Sequence, residues 1–244
     1  MQGFWKYRKE LGIDDHVLGL HKFWMEDLKN KKVLDFGCGG GNLISPYLAQ
    51  NAGEYTAIDL SAPSLERLKG KLIKAGVLAD RMRIICDDVL QFDWKNEKFD
   101  VIYAFSVMHH FENFEVILAG LQERLKTGGM IITFDPMNVS WASKLLRAIY
   151  RPFQPDAAWE FPFTRRNFSE LTRYYDVQDS QGYLGRTKKY FFLYYFLGAR
   201  KWVVNRAHRA HQFDLKDLKF GNSAFYSGLN VTLLLKNKSE NKGS

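Results

Sequence analysis

The stretch from Lys32 to Asn42, KVLDFGCGGGN, constrains the fold of this chain more than any other. Val33-Leu34-Asp35-Phe36 is a short apolar run of the kind buried in a parallel sheet. It leads into glycines at positions 37, 39, 40 and 41. Asn42 then marks the expected start of a helix, which its side-chain amide oxygen can cap. Glycine meets two demands at such a turn. The chain reverses sharply from strand to helix, and a ligand comes closer to the backbone than a Cβ would allow. Strand, glycine loop and helix at the head of an α/β pattern mark a nucleotide-type site.

The spacing narrows the ligand. A dinucleotide fingerprint, G-x-G-x-x-G, would need glycine at position 42, where Asn42 stands. The run Asp35-Phe36-Gly37-Cys38-Gly39-Gly40-Gly41 instead resembles the first motif of class I S-adenosylmethionine-dependent methyltransferases. That resemblance implies cofactor contacts from Asp35, Gly37, Cys38, Gly39 and Gly41. This cofactor has no pyrophosphate but carries a cationic ammonium, and an acid at the end of the strand suits it, directly or through water.

The following segments continue the pattern. Leu43 to Gln50 is expected to be helical, and Glu54 to Asp59 forms a second strand ending in an acid. Asp59 lies 18 residues beyond Gly41, close to the ~20 at which a strand-tip carboxylate accepts hydrogen bonds from a ribose diol. Leu60 beside it is a further expected cofactor contact. Ser61 caps a helix to Ala75, with Leu65, Leu68, Leu72 and Ile73 at helical spacing. Met82 to Cys86 is a third strand, followed by Asp87-Asp88-Val89. The resemblance implies that an acid here receives the adenine amino group and that the next backbone amide serves a ring nitrogen. Asp88 aligns slightly better for that role, with Asp87 as the alternative. Phe99 to Ala104 is a fourth strand, and the run through Phe105 to His109, His110 and Phe111 is similar to the family's fourth motif. There the strand exit, Ala104-Phe105, lies under the cofactor. A helix is expected to end at Gly128-Gly129, and a fifth strand at Asp135-Pro136. The resemblance covers about residues 30 to 136.

It implies an α/β fold: a seven-stranded, mostly parallel sheet with helices on both faces and an antiparallel last strand. An N-terminal helical arm (1–30) and a helical insert before the last strand complete a single domain over 1–236. The arm is rich in aromatic residues, and in the family such an arm often folds over the cofactor, which makes Tyr7 a candidate on the substrate side. Arg151 to Phe163 holds three of the six prolines and sits where the family places a substrate lid. Trp159, Phe161 and Phe163 are candidates for an apolar pocket, with Arg151, Arg165 or Arg166 orienting an anionic group. Thr164 is expected to cap a helix to Tyr175, with strands at 175–181 and 229–236. The last residues, 237–244, read as a polar, disordered tail.

Charge divides the chain unevenly. Residues 1–135 carry 17 Lys and Arg against 19 Asp and Glu, whereas residues 136–244 carry 18 against 8. A basic half suits nucleic acid, an anionic membrane surface or an anionic small substrate. Tyr190 to Leu197 is an aromatic and aliphatic block running into a basic one that ends at His211, the composition of an interfacial segment. A helical hairpin covering the substrate pocket is the competing expectation. No apolar stretch approaches the ~20 residues of a membrane span, and Met1 to Glu10 lacks a signal pattern. Two cysteines make neither a disulfide framework nor a metal cluster. The expected compartment is the cytoplasm, with peripheral contact at a membrane as a possibility, and no metal is expected.

The expected activity is methyl transfer from S-adenosylmethionine, with S-adenosylhomocysteine as product, to a small or lipid-linked metabolite, at oxygen. A nucleic-acid methyltransferase and a non-catalytic cofactor-binding subunit are the alternatives. Transfer from a sulfonium is an in-line displacement that rests mainly on positioning. A base adds ~10²–10⁴-fold when the acceptor is a hydroxyl. His109 and His110 are the candidates, His109 ahead of His110. No Asn/Asp-Pro-Pro-aromatic motif follows the fourth strand, and no cysteine sits at a nucleophile position. Both absences argue against adenine-amine and pyrimidine-carbon methylation.

Overall fold

A computed structural model describes residues 2–150 and 157–238 of the chain. Arg151 in the expected lid and most of the expected tail fall outside the described residues. Two helices, α1 (Gln2–Glu10) and α2 (Ile13–Met25), precede strand β1 (Lys32–Phe36). Then follow α3 (Ser45–Asn51), β2 (Glu54–Asp59), α4 (Ala62–Lys74), β3 (Met82–Cys86), β4 (Phe99–Phe105), α5 (Phe114–Arg124) and β5 (Leu125–Pro136). The second half holds α6 (Trp141–Tyr150), α7 (Arg165–Tyr174), β6 (Tyr175–Tyr183), α8 (Lys188–Leu197), α9 (Lys201–Asp217) and β7 (Asn230–Asn237).

The strands form one seven-stranded sheet in the order β3-β2-β1-β4-β5-β7-β6. β7 runs antiparallel to both its neighbours, and the other pairings are parallel. The order reverses between β1 and β4, and ligands of open α/β sheets bind outside the carboxyl ends of the strands at such a switch point. The exits of β3, β2, β1 and β4 stand in a row there.

Each face of the sheet carries its own core. Leu34, Ile58, Ile102 and Ile131 point to one side, with Ile117 and Leu121 of α5 and Phe168 and Leu171 of α7. Val33, Ala57, Val101 and Ile132 point to the other, with Trp24 and Met25 of α2, Leu48 of α3 and Leu68 of α4. The alternation along each strand is the period of two that sends successive side chains to opposite faces. A third cluster lies at the strand tips. It joins Phe134 and Tyr183 to Tyr7 of α1, Tyr194 of α8 and Val203 and Ala207 of α9.

Several boundaries differ from expectation for local reasons. Asn42 accepts hydrogen bonds from the Ile44 and Ser45 amides at 2.8 and 3.2 Å. It closes the turn before the helix and is not its cap, since the helix begins at Ser45 with Ile44 at the cap position and no side-chain cap bond. α5 ends at Arg124, four residues before the expected end at Gly128-Gly129, and those glycines lie within β5. β6 reaches Tyr183, because β7 is long enough to pair with it that far, Tyr183 opposite Asn230. The Tyr190 block is a helical hairpin, α8 turning into α9 through Gly198 at φ +72°. Among the described residues no helix is long and apolar enough to cross a membrane.

Candidate active site

The β1 exit has little room for side chains. Gly37 has φ +57°, and a Cβ there would lie 2.1 Å from Cγ2 of Val107 just past β4. The glycine therefore lets the exits of β1 and β4 close on one another at the switch point. Gly39 is different. Its φ is +51°, yet a Cβ would meet nothing within 4 Å. Its requirement is conformational, and the space beside it is open to a ligand.

Asp35 at the end of β1 is fully buried. Its Oδ2 accepts a hydrogen bond from the Tyr55 hydroxyl at 2.8 Å; the Ser45 hydroxyl nearby also favours the charged form, but Oδ1 makes no hydrogen bond of ordinary geometry. Burial pushes its carboxyl up to about 6, since desolvation disfavours the charged form. Cys38 is also buried, and desolvation followed by the nearby Asp35 pushes its thiol far up. It is an unreactive neutral side chain.

Asp59 at the β2 exit clasps the loop. Its Oδ2 accepts from the Gly39 amide at 2.8 Å and its Oδ1 from the Ser61 amide at 2.9 Å. A carboxylate has about four acceptor positions, so both oxygens retain capacity. Leu60 beside it is 74% exposed, a large apolar side chain facing solvent at the rim. At the β3 exit the two acids separate. Asp88 is spent on its own turn, accepting from the Leu90 amide at 2.9 Å and from the Gln91 side chain at 3.3 Å. Asp87 is the exposed one, with Oδ1 accepting from the Asp88 amide. Asp87 is thus the more open of the two acids to a ligand. Val89 has its side chain in the core, so only its backbone can meet a ligand. Ala104 is buried, and Phe105 stacks on Phe134 with centroids 4.8 Å apart and planes 9° apart.

Past β4 the chain passes through Ser106 at φ +58°, a region costly for a non-glycine residue and frequent at functional sites. The Ser106 amide donates to the Phe134 carbonyl at 2.7 Å. His109 and His110 follow on a single 3-10 turn. Asp135 at the end of β5 is fully buried and grips His109 twice. Its Oδ1 accepts from the His109 ring at 2.8 Å and from the His109 amide at 3.2 Å. A carboxylate only accepts, so Nδ1 carries the proton and Nε2 is left as the basic nitrogen. Asp135 was no candidate in the sequence, where it reads as a strand terminus. Its partner lies 26 residues away, and only the parallel pairing of β4 with β5 brings the two together.

The lid segment is tied to this turn. His110 Nδ1 donates to the Trp159 carbonyl at 2.9 Å, and the Phe161 amide donates to the His109 carbonyl at 2.6 Å. Trp159 is 72% exposed. Phe163 is fully buried between Phe114 and Phe168, so it anchors the lid rather than lining a pocket. Arg165 lies over the Tyr226 ring at 4.3 Å, and Arg166 pairs with Glu170 at 2.6 Å. Tyr7, expected on the substrate side, is enclosed instead. Its hydroxyl donates to the Thr187 carbonyl at 2.8 Å and its ring packs on Phe191 and Tyr194. Burial explains the difference, because an arm with so much aromatic surface packs inward. Among the described residues no group of three His, Cys, Asp or Glu could hold a metal ion.

Residues 34–131 match the family model described as a methyltransferase domain. Over 132 residues the chain is 31% identical to a ubiquinone biosynthesis O-methyltransferase of Pasteurella multocida, covering 50% of this chain and 54% of that protein. It is 31% identical over 109 residues to an uncharacterized protein of Haemophilus influenzae, covering 44% and 43% respectively. The chain thus spans about half the length of the curated relatives it matches. Among solved structures, the YcgJ protein of Bacillus subtilis superposes over 93% of this chain and 99% of its own, with a TM-score of 0.62 at 15% identity. The N-methyltransferase NodS of Bradyrhizobium japonicum, in complex with S-adenosyl-L-homocysteine, covers 98% and 100% with a TM-score of 0.55 at 14% identity. These likenesses establish a Rossmann-like α/β fold. The family match stops at residue 131, short of the lid and the insert.

Proposed function

We propose that this chain, whose residues 34–131 match a methyltransferase domain, is a biosynthetic enzyme that transfers a methyl group from S-adenosylmethionine to an oxygen of a small or lipid-linked metabolite. The observation that carries the reading is Asp35. A buried carboxylate with an unpartnered oxygen costs free energy unless a ligand supplies the missing donor, and the cofactor's ammonium is such a donor. Three further features fit the same ligand. The open space at Gly39 admits close approach to backbone. The spare acceptor capacity of Asp59 suits a ribose diol. The exposed Leu60 offers an apolar surface to an adenine ring whose amino group would meet Asp87. When bound, the cofactor supplies an electrophilic methyl already activated by its sulfonium.

The rest of the chemistry falls to this chain's side chains. A hydroxyl acceptor must lose its proton as it reacts, and a positioned base contributes ~10²–10⁴-fold. Asp135 holds His109 in the tautomer whose Nε2 can take that proton and stabilises the imidazolium that results. This pairing favours an oxygen acceptor over an amine that is already nucleophilic. The His110–Trp159 and His109–Phe161 bonds hold the lid against the same turn. Trp159, Phe161 and Arg165 are the proposed acceptor contacts, and Tyr7 supports the cap from behind.

The test is calorimetric titration with S-adenosylmethionine, S-adenosylhomocysteine and NAD. Binding of the first two and not of NAD is expected. Binding of NAD alone, or of none of them, overturns the reading. Release of S-adenosylhomocysteine in the presence of phenolic or lipid-linked hydroxyl compounds then identifies the acceptor.

A further inference from the structure

α8 is apolar around its whole circumference: after Lys188 and Lys189 it reads YFFLYYFL. Such a helix needs cover on every side. One side has it. Phe191 packs on Phe4 and Tyr7 of α1, and Tyr194 is buried against Tyr7. The opposite side is bare: Tyr195 is 68% and Phe196 77% exposed, with Phe192 and Leu193 also exposed. Past Gly198 the start of α9 adds Trp202, exposed as well, with the Arg206 guanidinium 5.8 Å from its ring. An apolar patch of this kind, rimmed by cations, marks an interaction site.

Along this stretch of chain the charge has one sign, although Glu10 of α1 lies near Tyr194 and Arg186 pairs with Asp217 at 2.8 Å. Residues 180–213 contain seven Lys and Arg and no Asp or Glu. Arg200 and Lys201 sit at the amino end of α9, whose first turn has no acid and whose cap makes no side-chain hydrogen bond. Cations at that end oppose the helix dipole and destabilise the helix. They are therefore not there for helix stability, and an anionic surface is the partner that compensates both them and the dipole.

We infer that the tip of the α8–α9 hairpin docks on an anionic lipid bilayer, with Tyr195, Phe196 and Trp202 entering the interface and Arg200, Lys201 and Arg206 meeting the headgroups. Aromatic side chains with polar edges settle at headgroup depth, and long basic side chains extend past them to the phosphates. A second copy of the chain would bring like charges together across a two-fold axis. A nucleic acid would leave Phe196 and Leu197 without an apolar partner. The inner side of the same hairpin packs on Phe134 and Tyr183 at the strand tips, so docking would bring the crevice to the membrane. That use rests on the methyl-transfer reading, whereas the docking does not.

The experiment is co-sedimentation of the full chain with phosphatidylcholine vesicles, with and without phosphatidylglycerol, at low and at physiological salt. The parent protein is expected to pellet only with the anionic vesicles, less so at higher salt. Replacing Arg200, Lys201 and Arg206 by Gln should lower the partition roughly 100-fold, at about fivefold per cation near an anionic surface. Tyr195→Ser with Phe196→Ser should lower it at least about tenfold. Absence of pelleting with anionic vesicles at low salt overturns the inference, as does pelleting that neither variant reduces. Tighter binding to single-stranded RNA, lost in the charge variant alone, reassigns the surface to nucleic acid. A dimer that the aromatic variant dissociates reassigns it to a second copy. S-adenosylhomocysteine binding, measured in parallel, is expected to be unchanged in both variants. Its absence from the parent would sink methyl transfer and leave the docking result standing.

Discussion

The strand-end crevice and the cap over it are built on opposite plans. In the crevice the working parts are backbone: glycines at φ +57° and +51°, amides aimed at Asp59, and strand ends set in a row by parallel pairing. In the cap they are side chains that grip backbone and side-chain partners across long stretches of chain. Tyr7 meets Thr187 from 180 residues away. Asp214, almost fully buried, accepts from the Arg186 amide at 2.8 Å, from the Thr187 amide at 3.0 Å and from the Thr187 hydroxyl. Backbone geometry is demanded by any ligand of one class, and it varies little. A cap made of side-chain contacts can be rebuilt for each acceptor while the floor beneath it stays the same.

Four substitutions press on that contrast. His109→Gln should leave S-adenosylhomocysteine affinity intact and slow turnover by ~10²–10⁴-fold, measured with the first acceptor found to release product. An unchanged rate would remove His109 from the chemistry and make the Asp135 pair a purely structural joint. Asp214→Ala strands the buried Thr187 amide and hydroxyl and removes the acceptor of the part-buried Arg186 amide, so a loss on the order of 3 kcal/mol in urea unfolding is expected. If the two regions are separable, cofactor affinity survives it. A joint collapse would show that floor and cap are one unit. Asp59→Ala is the converse, costing about 100-fold in cofactor affinity through lost hydrogen bonds to a charged group, with little change in melting.

Asp35→Asn gives the smallest effect and the most informative one. The wild-type carboxyl is held near 6, above its ordinary value of 3.8. Between those values the folded state binds more protons than the unfolded one, so stability from this group falls as pH rises. His21 acts the other way. Fully buried in the core, it bonds Tyr103 at 3.0 Å and Thr232 at 2.6 Å, and burial lowers it to about 3. Its contribution is lost as pH falls below its ordinary 6.5. Asn at position 35 should add roughly 1–2 kcal/mol at neutral pH, weaken cofactor binding and leave the rising limb between pH 4 and 6 that His21 shares with His211 and His16, which burial also lowers. Denaturant titrations across that range decide it, and a variant no more stable than the parent would mean that Asp35 is not strained.

This contrast also explains what could be read from the chain alone. The turn at Gly37 was legible because that residue type is tied to a backbone need at the strand exit. The seven-stranded sheet with its antiparallel last strand followed from the family that the motifs around it resemble. Asp135 was not legible as the partner of His109, because strand pairing supplies that contact. Nor was the enclosure of Tyr7 and Phe163, since an aromatic residue on an arm or a lid gives no local sign of which way it turns. Asp87 and Asp88 were separable only once the turn at Leu90 had claimed one of them.

The position of β7 has a consequence for how the molecule comes into being. That strand lies between β5 and β6, so the sheet stays open until residues 230–237 have left the ribosome. The crevice strands β1 to β5 are all made by residue 136. They wait through nearly a hundred further residues with the flank of β5 unpaired. Thr232 then arrives to take up the His21 ring and the Thr133 carbonyl at 2.6 Å each. The strand that completes this sheet is the one that locks the arm before β1, and chains cut short before it should aggregate through that waiting edge.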